Sequence, residues 1–117
     1  MAYMLLVVEQ AGDRAARSER EGQAHYDRML RFSADLKQRG LLTMSQSLKT
    51  DAAGVRVTGQ GNKSIVRDGP FVEAKEMIGG FFLLTCETRQ QALDIARACP
   101  AAEWATIEVR ELGPCFQ

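Results

Sequence analysis

His25 is the only histidine in the chain, and so the only side chain whose ordinary pKa lets it exchange a proton near neutrality. It falls in a run with Tyr26, Met29, Phe32, Ser33 and Leu36, at the i, i+3, i+4, i+7 spacing of an amphipathic helix. Two readings of the imidazole follow. It is a general acid or base at the edge of a pocket between helix and sheet, or a boundary histidine packed by its ring. Asp68 is the second candidate. It opens the run Asp68-Gly69-Pro70-Phe71-Val72-Glu73-Ala74-Lys75-Glu76, where an acid, a hinge glycine and a φ-locked proline stand together. An Asx-type turn accounts for that trio if the Asp68 carboxylate accepts the amide of Gly69 or Phe71. The same turn could instead aim the carboxylate into a cleft, to orient His25 or to act as a base. Lys75 is a candidate for an anionic ligand group, or belongs with Glu73 and Glu76 to a solvated turn. Met29 and Phe71 are candidate walls of the pocket.

Other chemistry finds no support. Neither Gly-x-x-x-x-Gly-Lys nor Gly-x-Gly-x-x-Gly occurs, so no phosphate loop is expected. His25 with carboxylates is too sparse a donor set for a metal, and no cofactor is expected. Cys86, Cys99 and Cys115 are an odd set without Cys-x-x-Cys spacing, which is no disulfide framework. Lys plus Arg and Asp plus Glu balance at 15 each, which argues against a nucleic-acid or anionic-membrane partner. Arg14, Arg17 and Arg20 interleave with Asp13, Glu19 and Glu21 and read as a solvated helix start. The opening Met-Ala-Tyr-Met-Leu-Leu-Val-Val-Glu lacks a basic flank and is too short for a signal or a membrane span. The expected location is the cytosol.

These residues need elements to position them. At 117 residues, 45% hydrophobic and 26% charged, the chain reads as one globular domain, 1–117. Tyr3 to Val8 is continuously apolar and reads as a strand covered on both faces. Ser18 to Glu21 has capping-box spacing and opens a helix from about Glu19 to Arg39, stopped by Gly40. Leu41 to Leu48 is a second strand. Val55–Thr58 and Lys63–Val66 alternate about Gly59-Gln60-Gly61-Asn62 and form a hairpin with one polar face. Met77 to Glu87 is a doubly buried strand. Thr88 to Gln91 caps a helix carrying Ala92, Ile95, Ala96 and Cys99, ended by Pro100. Trp104 to Leu112 is the last strand. The order β-α-β-(hairpin)-β-α-β is an α+β, ferredoxin-like split βαβ with an inserted hairpin. Two helices cover one face of such a sheet. The bare apolar face predicts a cover, either a second copy in a two-fold homodimer or the hairpin folded across it.

The central run, with Met77-Ile78-Gly79-Gly80-Phe81-Phe82-Leu83 after it, resembles the core motif of the YCII-related proteins of the DGPF subgroup. Met1–Val8, Val55-Arg56-Val57, Ala92–Pro100 and Ile107-Glu108-Val109-Arg110 resemble that family's opening strand, hairpin, second helix and closing strand. Glu111 stands where the family usually has proline. The resemblance implies a ferredoxin-like fold and a dimeric α/β-barrel assembly. It implies a His–Asp pair in a pocket, with His25 in the matching helix and Asp68 heading the signature. Together they would transfer a proton on an unknown small polar or aromatic ligand, as in an elimination or isomerisation. It also implies a second class of function. Family members often occur beside extracytoplasmic-function sigma factors, which fits a non-catalytic sensor or regulatory module.

Overall fold

Alternation decides how the first strand is used. In the computed structural model, which describes residues 2–116, β1 (Tyr3–Gln10) buries Tyr3, Leu5, Val7 and Glu9 while Met4, Leu6 and Val8 are half-buried. The first set faces the helices and the second faces outward. β1 sits inside an antiparallel sheet with β2 (Leu42–Ser47), β5 (Glu76–Leu84) and β6 (Thr106–Glu111), in the order β2-β5-β1-β6. The helices are α1 (Asp13–Ala16), α2 (Glu19–Gln38) and α3 (Arg89–Ala98). The units β1-α2-β2 and β5-α3-β6 interleave in the ferredoxin-like manner. The core lies between the sheet and the long helices: Leu5, Leu36, Phe82, Leu84, Ala92 and Ile95 are its centre.

The helix ends form where side chains can satisfy free backbone groups. Ser18 Oγ accepts the Glu21 amide at 3.1 Å and donates to the Glu21 carboxylate. Thr88 Oγ1 accepts the Gln91 amide at 3.1 Å, and Gln91 returns the bond to Glu87 N. Gly40 closes α2 at φ +71°, with Leu41 N bonded to Leu36 O.

Three expectations need correction. Pro100 does more than end α3: it starts a 3₁₀ turn, Pro100–Glu103, that buries Ala101. The final strand therefore begins at Thr106, and Trp104 belongs to the turn. The strand expected to reach Glu87 stops at Leu84, and Cys86 is buried beyond its end. The hairpin, β3 (Val55–Thr58) with β4 (Ile65–Asp68), pairs only with itself and every residue in it is exposed. It does not fold across the open face of the sheet.

The Asp68–Glu76 segment is bound to the 51–54 turn. Gly69 N donates to Gly54 O at 2.8 Å, and a Cβ on Gly69 would lie 1.8 Å from Asp51 O. Only glycine fits that approach. Phe71 is 7% exposed; the Arg56 guanidinium lies 3.9 Å from its ring centroid and that of Arg67 lies 5.5 Å away. Glu73 forms ion pairs with both arginines. The Phe71 amide is accepted by Asp51 Oδ2 at 3.3 Å, so Asp51 does the turn-forming work expected of Asp68. Among the described residues no helix is long and apolar enough to cross a membrane.

Candidate functional site

Between α2, the β1–β5 centre of the sheet and the Pro100–Glu103 turn lies a cavity of about 560 Å³, within the range of small-molecule sites. Its end wall is ionic. Glu9, in phase with the buried side of β1, is 3% exposed. Arg14 donates to it from Nη2 at 2.7 Å and from Nε at 3.1 and 3.2 Å. The same guanidinium donates to Leu48 O at 2.6 Å and Gly79 O at 2.9 Å, joining β1, β5 and the end of β2. Room for the carboxylate comes from Gly79, at the register break between Val7 and Val8. A Cβ there would lie 1.6 Å from Glu9 Oε2. Arg17 Nη1 stands 3.7 Å from Glu9 Oε1.

The arginines were expected in solvent, and Arg20 is exposed. Arg14 and Arg17 are drawn in because Gly12, at φ +91°, turns the chain directly from β1 into the short α1. That reversal folds both side chains back over the end of β1, where Glu9 accepts hydrogen bonds from Arg14 and Arg17 stands at ion-pair distance. The signal in the sequence is an acid in phase with Tyr3, Leu5 and Val7, followed closely by arginines.

The side wall is the α2 stripe of Ser18, Gly22, His25, Tyr26, Met29 and Ser33. The His25 ring stacks on Trp104 with centroids 3.7 Å apart and planes 3° from parallel. Arg28 lies 5.5 Å from the same indole and pairs with Glu103. His25 Nδ1 is enclosed and has no hydrogen-bond partner among the described residues. Burial first, then the Arg17 and Arg28 charges, push the imidazole below its ordinary pKa, with Glu21 and Glu103 pulling it back. The ring is therefore neutral at pH 7 and fit to accept a proton. About two turns further along α2, the Ser33 and Ser45 hydroxyls meet at 3.1 Å, linking α2 to β2.

Residues 1–115 match the YCII-related domain. The chain belongs to the YCII-related domain family. It is also 30% identical, over 115 residues, to an uncharacterized protein of Rhizobium meliloti (strain 1021), covering 97% of this chain and 93% of that relative.

Within this YCII-related protein the candidate residues fall in different places. His25 and Met29 line the cavity together. Phe71 lines a second concavity of about 410 Å³, shared with Val8, Asp51, Gly54, Arg56 and Ile78. Asp68 lines neither, is exposed, and makes no side-chain hydrogen bond among the described residues. Lys75 is exposed and contributes its carbonyl to Ala11 N at 2.8 Å. Among the described residues no His, Cys, Asp and Glu cluster is arranged to hold a metal ion.

Proposed function

We propose that this YCII-related protein binds a small organic molecule in the cavity under α2 and that neutral His25 accepts a proton from it. The observation that supports this most is the only histidine, held flat on the only tryptophan in the wall of a ligand-sized cavity. A base needs a neutral form at working pH, and burial beside Arg17 and Arg28 favours that form. The proton accepted by the ring can be returned elsewhere on the substrate, which is the chemistry of an isomerisation or elimination. Positioned acid–base catalysis of this kind supplies about 10²–10⁴-fold. Asp68 lies outside the cavity, so the reading gives the proton to His25 alone.

The test is a thermal-shift screen of small metabolites on the wild type and on His25→Asn, with NMR detection of turnover for each hit. A compound that stabilises both proteins but is converted only by the wild type supports the reading. A hit converted equally by both would sink it.

A second reading, a non-catalytic sensor module, draws on the signature loop being used up in packing and on exposed Val55, Val57, Ile65 and Val66 in the hairpin. Under it the same screen yields a ligand and no turnover by either protein.

The assembly reading is a homodimer, sheet against sheet, as in a dimeric α/β barrel. Met4, Leu6 and Val8 share the open face with Ile78 and Met44, the last two 42% and 45% exposed. The slab measures 46 × 41 × 20 Å with a Cα radius of gyration of 15.9 Å, against roughly 13 Å for a compact 100-residue chain. A second copy would cover that apolar face. Sedimentation should give a dimer for the wild type and a monomer for Leu6→Asp; a monomeric wild type would end the idea.

A further inference from the structure

Neither Arg17 nor Gly22 is accounted for by the protein's own packing. The Arg17 side chain is 15% exposed, and its nearest acid, Glu9 Oε1 at 3.7 Å, is beyond hydrogen-bond reach. Both Glu9 oxygens already accept from Arg14. The Arg17 guanidinium carries five N–H donors and donates no side-chain hydrogen bond among the described residues. A mostly buried guanidinium that meets its acid only at ion-pair distance keeps donors free for a hydrogen-bond acceptor. Gly22 lies in the first turns of α2 and lines the same cavity. A Cβ there would meet nothing within 4 Å, and alanine would favour the helix. Glycine beside open space suits a backbone that something outside the chain approaches closely.

Resting on the reading that the cavity takes a small molecule, we propose that its ligand is a monocarboxylate, seated on Arg17, with its apolar body over Gly22 against Tyr26, Met29 and Leu30. Guanidinium and carboxylate match as a planar, two-bond pair. The placement of the charges favours the monoanion over a dianion. Glu9 and Arg14 cancel, Arg17 leaves one positive charge, and exposed Glu19 at the rim opposes a second negative charge. A phosphate dianion is therefore the poorer fit. Tyr26, Met29 and Leu30 form an apolar strip along the α2 side of the wall, opposite the polar Ser45 and Gln46, which suits a ring or short hydrocarbon body.

The test is an NMR titration with phenylacetate, its neutral counterpart phenylacetamide, and inorganic phosphate. The reporters are the Gly22 amide and the Trp104 indole N–H, in wild type, Arg17→Met and Gly22→Leu. Phenylacetate should shift both signals and saturate, with the amide and phosphate at least tenfold weaker. Arg17→Met should erase the preference of acid over amide, and Gly22→Leu should weaken both by filling the space. An amide that binds as well as the acid overturns the proposal and leaves the cavity reading standing. So does an acid preference that survives Arg17→Met, or phosphate binding tighter than phenylacetate. If neither acid nor amide moves the signals, the cavity reading falls and the proposal with it. Where Arg17→Met does not fold, Arg17→Lys keeps the charge without the fork; unchanged acid affinity in that variant also overturns the paired seat.

Discussion

The cavity wall and the Asp68–Glu76 loop make opposite uses of charged and special residues. In the loop, the conformationally restrictive residues serve packing: Gly69 lies against the Asp51 carbonyl, and Phe71 is clasped by arginines that Glu73 ties together. The acid that heads the loop is left in solvent. In the cavity, Gly79 to Phe82 of the motif supply only the floor, while a buried glutamate, two inward arginines and an imidazole nitrogen without a partner among the described residues line the same space from outside it. A sequence motif of high specificity reports a tight geometric constraint. Here that constraint is the docking of the loop on the 51–54 turn and the hairpin arginines, and the cavity with His25 lies elsewhere.

The contrast breaks most visibly at Glu9 and Arg14. Arg14→Ala leaves a buried carboxylate with Arg17 as its remaining neighbour, and removing one partner of such a pair costs about 3–5 kcal/mol. Urea unfolding checks it. The double variant Glu9→Met, Arg14→Met removes both charges and should cost less than Arg14→Ala alone, as expected for a pair whose desolvation offsets much of its attraction. If the double variant loses as much as the singles added together, the pair is not coupled and the cavity wall is misread. Gly69→Ala is the matching change in the loop. Its methyl would meet backbone rather than a movable side chain, so a loss of about 1–3 kcal/mol is expected, with cavity ligands still bound.

The strands and long helices were legible because each rests on a local pattern. Ser18 and Thr88 cap where their spacing to Glu21 and Gln91 requires, and the two covering helices leave one sheet face open. The last strand was placed too early because Pro100 serves as the first residue of a new turn as readily as the end of a helix. That His25 and Met29 face one cavity was legible, since both lie on the inward stripe of one helix. Glu9, Arg14 and Arg17 were not, because their meeting depends on the positive φ of Gly12. A mixed-charge run looks the same whether it is solvated or folded back. Asp68 and Asp51 are equally plausible turn formers by type, and only the three-dimensional approach of the 51–54 turn decides which carboxylate meets the Phe71 amide.

A smaller effect distinguishes the two regions by pH. His25 has its folded pKa lowered by burial and by Arg17 and Arg28. Well above about pH 6.5, the unfolded value, the ring is neutral in both states and stability does not depend on it. As pH falls below that value the unfolded chain binds the proton first, so stability falls with it, until the folded ring also titrates. The difference in unfolding midpoint between wild type and His25→Gln should therefore vary across this window and be constant above it. A constant difference down to pH 5 would show that the ring is not held neutral. The turnover proposed for His25 should hold through most of that window and lose rate at its lower end, where the folded ring itself takes up the proton.

The smallest effect belongs to the residue that the signature places first. Had Asp68 closed an Asx turn, removing its carboxylate would cost about 1–2 kcal/mol in lost bonds to amides. In the folded protein Asp51 accepts the Phe71 amide and the Gly69 amide goes to Gly54 O. Asp68 is exposed and opposite Val55 at the end of the hairpin. Asp68→Ala should then change stability by no more than about 0.5 kcal/mol, whereas Asp51→Ala should cost about 1 kcal/mol through the stranded Phe71 amide. Measured side by side by chemical denaturation, the pair separates the two descriptions of the loop. If Asp68→Ala is the more damaging, the turn is held by its own first residue and the docking of Gly69 on the 51–54 segment is secondary. If Asp68→Ala is silent for stability but abolishes ligand turnover, the carboxylate acts on a substrate and the cavity beneath α2 is not where the chemistry is completed.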